Sequence, residues 1–239
     1  MTAGTRWYLM PYAGGGPRCY ERLTRGADGE LDATVLGWDP ARYAADGGLE
    51  RLARDLGDEI AADLAERPVD RYGLFGHSMG ALVAFEVAGA LRERRVRQPS
   101  ALGVSGRVPP QCGARPAADP DQPDSVARYL RSCGGELAQA ADDPEFVDIV
   151  CERLRHDIGL GTGHRYVPRP PMSYPVVAFG GASDPLAAPQ ELAGWLDHGS
   201  PDSWLHLCAG GHWFLWDHAA FVLDMLRMAV ERRRDAAPA

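Results

Sequence analysis

Gly76-His77-Ser78-Met79-Gly80 stands at the junction of two kinds of sequence. Before it, Arg71–Gly76 is a short apolar run that reads as a strand. After it, Met79–Arg95 reads as a helix, apolar at first and charged at its end. A sharp strand-to-helix turn needs glycine on both flanks, because a side chain there meets the neighbouring strand or helix. The turn forces its central serine into strained backbone angles and exposes the hydroxyl at the helix N-terminus. Five-residue matches of this kind arise by chance in many chains. The flanking strand and helix are what make this one a nucleophile elbow.

Outward from the elbow, short apolar runs alternate with longer helical patterns, the rhythm of a mostly parallel sheet covered by helices. Strands are expected at Trp7–Tyr12, Ala33–Trp38, Ala101–Val108, Pro175–Gly180 and Ser203–Ala209. Gly48–Arg67 places Leu49, Leu52, Ala53, Leu56, Ile60 and Leu64 on one helical face, and Pro68 closes it. Glu191–Asp197 and Asp217–Arg234 complete the helices. The rhythm breaks between about 107 and 171, a span too long for an ordinary crossover. Two helical patterns fall inside it, Ser125–Arg131 and Glu145–Ile158, followed by a Gly/Pro-rich loop, Gly159–Pro171. We read one α/β domain over 1–239 with a helical lid inserted at about 107–171. Val126, Leu130, Phe146, Ile149, Val150 and Leu154 are its expected inner face. Gly113, Gly134, Gly135, Gly159, Gly161 and Gly163 are its expected hinges.

At 239 residues, with 45% hydrophobic and 24% charged, the chain is sized for one such domain and is not disordered. A net charge of −8 argues against nucleic acid as the main partner. Neither a signal pattern nor a membrane-spanning run is read, so export and membrane insertion are not expected. The 25 basic residues are all arginine, which together with the lack of asparagine reflects codon usage more than phosphate binding. Cys19, Cys112, Cys133, Cys151 and Cys208 form no metal-ligand spacing, and a reducing cytoplasm fits them. No cofactor or metal is called for.

A serine needs a base, and in α/β-hydrolases the triad runs serine, acid, histidine along the chain. His212, in Ala209-Gly210-Gly211-His212-Trp213, follows the last strand and is the natural base. His206 lies within that strand and His218 within the next helix. His77 lies in the elbow itself and is expected to shape it. Asp184 sits on the loop after the preceding strand, stiffened by Pro185; Asp202 and Asp217 are worse placed for the acid. The backbone N–H of Met79 is one expected oxyanion donor. The loop Tyr12-Ala13-Gly14-Gly15-Gly16 supplies the other, and it lacks the spacing of a phosphate loop.

Pro11-Tyr12-Ala13-Gly14-Gly15, the elbow with Ala81-Leu82 and Phe85-Glu86, Ser105-Gly106-Arg107, Phe179-Gly180-Gly181 with Asp184-Pro185, and Gly210-Gly211-His212-Trp213-Phe214 stand in one order. That order resembles the type II thioesterases, stand-alone editing hydrolases of polyketide and nonribosomal peptide synthesis. The resemblance covers nearly the whole chain, including Leu154-Arg155-His156-Asp157 in the lid. It implies Ser78, Asp184 and His212 as triad and Met79 and Ala13 as oxyanion donors. It also implies a mobile lid, and as substrate an acyl group on the phosphopantetheine arm of an acyl carrier or peptidyl carrier protein. One departure stands out: the family's Pro-Gly-Arg turn after the second strand is replaced by Gly37-Trp38-Asp39-Pro40-Ala41-Arg42.

Three other functions fit parts of the sequence. A small-molecule esterase, or an acyltransferase or cyclase, would use the same triad. A non-catalytic binding protein would have no need of it. Arg92, Arg94, Arg95 and Arg97, with Arg232–Arg234, are either helix-end cations that complement the dipole or a docking patch for an acidic carrier. Trp213, Phe214 and Trp216 either line an acyl chamber or pack in the core.

Overall fold

The computed structural model describes residues 4–24, 31–44, 47–113, 115–133 and 135–232. Six strands form one parallel sheet: β1 (Thr5–Met10), β2 (Ala33–Val35), β3 (Arg71–His77), β4 (Ala101–Ser105), β5 (Val176–Gly181) and β6 (Trp204–Cys208), in the order β2-β1-β3-β4-β5-β6. The sheet is covered on both faces, so alternate residues of its central strands enter different cores. Tyr8, Met10, Leu74 and Leu102 face one, where α2 (Gly48–Glu66) and α3 (Met79–Glu93) pack. Trp7, Leu9, Phe75, Val177 and Phe179 face the other, with α1 (Glu21–Thr24) and α8 (Ala219–Arg232). This is the α/β-hydrolase architecture that the sequence predicts.

Between β4 and β5 the chain forms α4 (Pro123–Cys133), α5 (Gly135–Ala140) and α6 (Pro144–Gly163). Three details of the stretch from β4 through α6 differ from the sequence expectation. First, β4 stops at Ser105 because Gly106, at φ +61°, turns the chain where a Cβ would collide with the His77 ring. Second, α6 runs on through Gly159, Gly161 and Gly163, so these are helix residues and not loop hinges. Each glycine costs the helix about 1 kcal/mol, but buried Leu160 docks this turn into the α2–α3 core. Of the other expected hinges, Gly113 ends a short turn at φ +79°, Gly135 opens α5, and Gly134 lies outside the described residues. Third, Ile149 is 66% exposed and Phe146 half-buried, whereas Val126, Leu130, Val150 and Leu154 are buried. Ile149 lies about 100° round the helix from Val150, which is enough to turn it outward. The last expected helix before β6 is a single turn, α7 (Pro189–Leu192), continued by a 3-10 segment, Ala193–His198.

The segment after α6 is tied to the elbow helix by a buried charge cluster. Glu86 of α3 accepts two hydrogen bonds from Arg169 Nη2, at 2.6 and 2.5 Å, and one from His164 Nε2 at 3.1 Å. Arg169 lies over the Phe85 ring and passes Gly89, where any Cβ would occupy the guanidinium's place. Burial raises the Glu86 carboxyl, but the His164 hydrogen bond and the Arg169 charge outweigh it and leave the group below its usual value. A depressed carboxylate contributes stability above its unfolded pKa and loses it as pH falls through the folded one. Glu86→Ala should therefore destabilise the fold by about 3 kcal/mol at neutral pH, since it strands a largely buried guanidinium. The difference from wild type should shrink in acid, a comparison that urea titration at pH 7 and pH 4 makes directly.

Candidate active site

In a parallel sheet the loops after the strands emerge on one edge, and ligands of such sheets bind in the crevice there. The loops after β1, β3, β4, β5 and β6 carry Ala13, Ser78, Arg107, Asp184 and His212. Ser78 immediately follows β3 and precedes α3, with φ 55° and ψ −120°; Arg95 is the other described non-glycine residue at positive φ. The elbow glycines are required by close approach. A Cβ on Gly76 would lie 2.0 Å from Gly80 O, and one on Gly80 would lie 2.0 Å from Met10 O.

His212 Nδ1–H donates to Asp184 Oδ2 at 2.8 Å. The other carboxylate oxygen accepts from Leu186 N–H at 2.9 Å, so both oxygens are fixed. Gly181 closes this part of the site: a Cβ there would strike the Gly211 carbonyl. His212 Nε2 is buried and has no hydrogen-bond partner among the described residues. Ser78 and His212 line the same small cavity, together with Gly106, Arg107 and Leu186. Asp202 and Asp217 make no described contact with His212, while His218 bonds the Ala209 carbonyl at 3.0 Å.

His77 ends β3 and is fully buried, its Nδ1 2.9 Å from Ser105 Oγ. Its ring packs 4.8 Å from that of His212 and 5.0 Å from that of Trp213. Burial, and then the adjacent His212, push its pKa far below the usual histidine value. It is thus a neutral support beneath the second histidine, in keeping with its expected role in shaping the elbow. Trp213 stacks on Trp216 at 5° between planes and meets Tyr12 edge-on. Trp213 and Phe214 also border a cavity that reaches His212, so they serve packing and site wall together.

Side chains that the sequence reading left unassigned hold the Gly-rich loop, residue by residue. Tyr129 of α4 donates to Ala13 O at 2.8 Å. Asp157 of α6 accepts from Gly14 N–H at 2.8 Å, and Arg153 donates to Gly15 O at 2.8 Å. Gly14 has φ +75°, a conformation that favours glycine. Asp157 is buried, which raises its carboxyl pKa against the lowering effect of the Gly14 hydrogen bond. Its other oxygen accepts from Trp38 Nε1 at 3.2 Å, so the departure from the family turn after β2 supplies a donor to the lid. A signal for Asp157 was present, since it closes the Leu154-Arg155-His156-Asp157 segment, but its role depends on contacts far apart in sequence.

A larger cavity opens from Ser78, Met79 and Ala13 between Tyr129, Leu154, Asp157 and Ile158 of the lid helices. Of the expected inner face, Leu154 alone lines it; Val126, Leu130 and Val150 pack into the core beneath. Arg92, Arg94 and Arg97 bond the carbonyls of Pro170, Arg54 and Val69. They gather at the far end of α3, about 20 Å from the elbow at 1.5 Å per residue, which favours their reading as helix-end cations. Arg233 and Arg234 lie outside the described residues.

Fold and site together are of the α/β-hydrolase class. A family model described as a thioesterase domain matches residues 6–229. The gramicidin S biosynthesis protein GrsT of Aneurinibacillus migulanus is 30% identical over 231 residues, covering 94% of this chain and 88% of that protein. Among solved structures, the RedJ thioesterase of the prodiginine pathway in Streptomyces coelicolor is 30% identical. Its TM-score is 0.74, over 94% of this chain and 85% of that one. The type II thioesterase BorB of the borrelidin cluster is 27% identical with a TM-score of 0.73, over 96% and 94% of the two chains. The chain belongs to the thioesterase domain family, and it is a hydrolase of thioesters.

Proposed function

We propose that this enzyme removes acyl groups from the phosphopantetheine arm of an acyl carrier or peptidyl carrier protein in polyketide or nonribosomal peptide synthesis. The observation that carries the reading is the His212–Asp184 pair, whose free Nε2 shares a cavity with a strained Ser78. The names of GrsT, RedJ and BorB support the pathway class. Ser78 Oγ attacks the thioester carbonyl while His212 Nε2 takes its proton, and Asp184 stabilises the imidazolium. The N–H groups of Met79 and Ala13 receive the oxyanion, a contribution of about 3–4 kcal/mol per donor. The tetrahedral intermediate collapses, expelling the pantetheine thiolate, which takes up the proton held on His212. Water then attacks the acyl-serine, giving its proton to His212, and the acid leaves as Ser78 is reprotonated. No step needs a cofactor. The unpaired cysteines suit a reducing cytoplasm.

The test is competition. Given equal concentrations of an acyl-loaded carrier protein and a p-nitrophenyl ester of the same acid, the enzyme should consume the carrier thioester first. Preference for the free ester would instead favour a small-molecule esterase, and an amide or lactone product would favour transfer.

The 107–171 segment acts in this reading as a lid over the acyl group, opening to admit the arm. Asp157 couples it to the oxyanion loop. Asp157→Ala leaves Gly14 N–H and Trp38 Nε1 without their acceptor, and a displaced donor costs activity steeply. We expect kcat to fall about 10- to 100-fold, with Asp157→Asn intermediate, because its single carbonyl oxygen can serve either donor but not both in the present geometry. Steady-state kinetics on one acyl-pantetheine checks this.

A further inference from the structure

The Gly-rich loop opens with a β-turn from Tyr12 to Gly15, closed by Gly15 N–H donating to Tyr12 O at 2.8 Å. Gly14, at the turn's third position, has φ +75° and Ala13, at its second, is not at positive φ, the combination of a type II turn. In a trans peptide the C=O and the N–H point opposite ways. Tyr12 O is turned inward onto Gly15, so Ala13 N–H is turned outward, and it donates to no described residue. Ala13 lines one cavity with Ser78 and Met79.

The next peptide, Ala13–Gly14, is the central one of the turn, the unit that rotates when a type II turn becomes type I. Glycine on its far side permits that rotation. Both its ends are held from the lid: Tyr129 Oη–H donates to Ala13 O at 2.8 Å, and Asp157 Oδ2 accepts from Gly14 N–H at 2.8 Å. Two bonds on opposite ends of one peptide stop it turning, whereas either alone leaves a pivot. Rotation would also bring Ala13 O against the Asp157 carboxylate. The Tyr129 side chain is buried, and burial raises its pKa well above the usual tyrosine value, so it is a neutral donor. Its ring lines both the cavity of Ser78 and the one that reaches His212.

A central peptide free to rotate shifts the Ala13 Cα, and with it the N–H on the other side of that carbon. A donor is useful in the transition state only if it already points where the charge develops. We propose that Tyr129 is a positioning residue for the oxyanion: its hydroxyl, opposed to Asp157, locks the turn so that Ala13 N–H stands preset for the charge on the thioester oxygen. The inference rests on the reading of Ser78 as a thioesterase nucleophile and of Ala13 as a donor, and deepens it by giving a lid side chain a part in the chemistry.

The test compares wild type with Tyr129→Phe, which keeps the ring and loses the hydroxyl, on butanoyl-pantetheine and two inhibitors of the same chain. Butyl-pantetheine thioether has no carbonyl and reports ground-state binding. Butanoyl trifluoromethyl ketone adds to a serine and places an oxyanion in the hole. In Tyr129→Phe, kcat should fall about tenfold with KM within about twofold, as expected of a misplaced donor. The inhibition constant of the ketone should rise by the factor that kcat/KM loses, while that of the thioether stays within about twofold. Tyr129→Phe and Asp157→Asn act on one peptide, so the double variant should lose less than the product of the two single losses. Wild-type kcat in Tyr129→Phe would overturn the proposal. So would a loss carried by KM and thioether affinity, which is that of a cavity wall, or a fall in kcat with ketone affinity unchanged. Losses that multiply in the double variant would also overturn it, and a Tyr129→Phe chain that does not fold would assign the hydroxyl to stability instead. If wild type neither hydrolyses the thioester nor binds the ketone, the thioesterase reading of the site fails with it; any of the other adverse results, with wild type active, sinks the Tyr129 proposal alone.

Discussion

Ser78→Ala lowers kcat by roughly 10⁴-fold or more, the scale on which loss of a nucleophile is felt in serine hydrolases. The fold should survive, because Ser78 contributes a turn conformation and its side chain makes no hydrogen bond among the described residues. Alanine keeps the strain of φ 55°, whereas glycine relieves it. Ser78→Gly should therefore be inactive and yet more stable than Ser78→Ala, by about 1 kcal/mol. Thermal denaturation separates the two variants, and labelling with a fluorophosphonate reports the chemistry. Wild type should take one phosphonyl group on the peptide containing Ser78 and lose activity in proportion; neither variant should be labelled. A Ser78→Ala enzyme that turns over at the wild-type rate removes Ser78 from the mechanism.

Asp184→Asn should cost nearly as much, about 10⁴-fold in kcat, with KM little changed. The reason is the tautomer. Asp184 Oδ2 now accepts from His212 Nδ1–H, which leaves Nε2 as the base. Asparagine can keep the Leu186 N–H on its carbonyl oxygen, and this directs its NH₂ at Nδ1. The imidazole must then accept at Nδ1 and carry its proton on Nε2, where it cannot take one from Ser78. The variant is nearly isosteric, so stability should change little by comparison with activity. Full activity in Asp184→Asn, with Asp202→Asn or Asp217→Asn impaired instead, would assign the acid elsewhere.

The sequence made the sheet and the elbow legible because both are local signals. A buried parallel strand is an apolar run, and Gly76 and Gly80 mark the turn where Ser78 must stand. The His212–Asp184 pair was legible through chain order: each follows a strand whose carboxyl end reaches the same edge. What could not be read was the support of the Gly-rich loop. Gly14 and Asp157 are 143 residues apart, and no periodicity links them. The length of α6 was also hidden, because its last turn is held by Leu160 in the core and not by its glycine-rich composition.

The most direct measurement is intact-mass spectrometry of a carrier protein loaded with an acyl-phosphopantetheine arm. With wild-type enzyme, the carrier mass should fall by the acyl group while the free acid appears in equal amount, and with Ser78→Ala the loaded mass should persist. A loaded carrier that is unchanged by the wild-type enzyme, or unloaded equally by Ser78→Ala, would contradict the account.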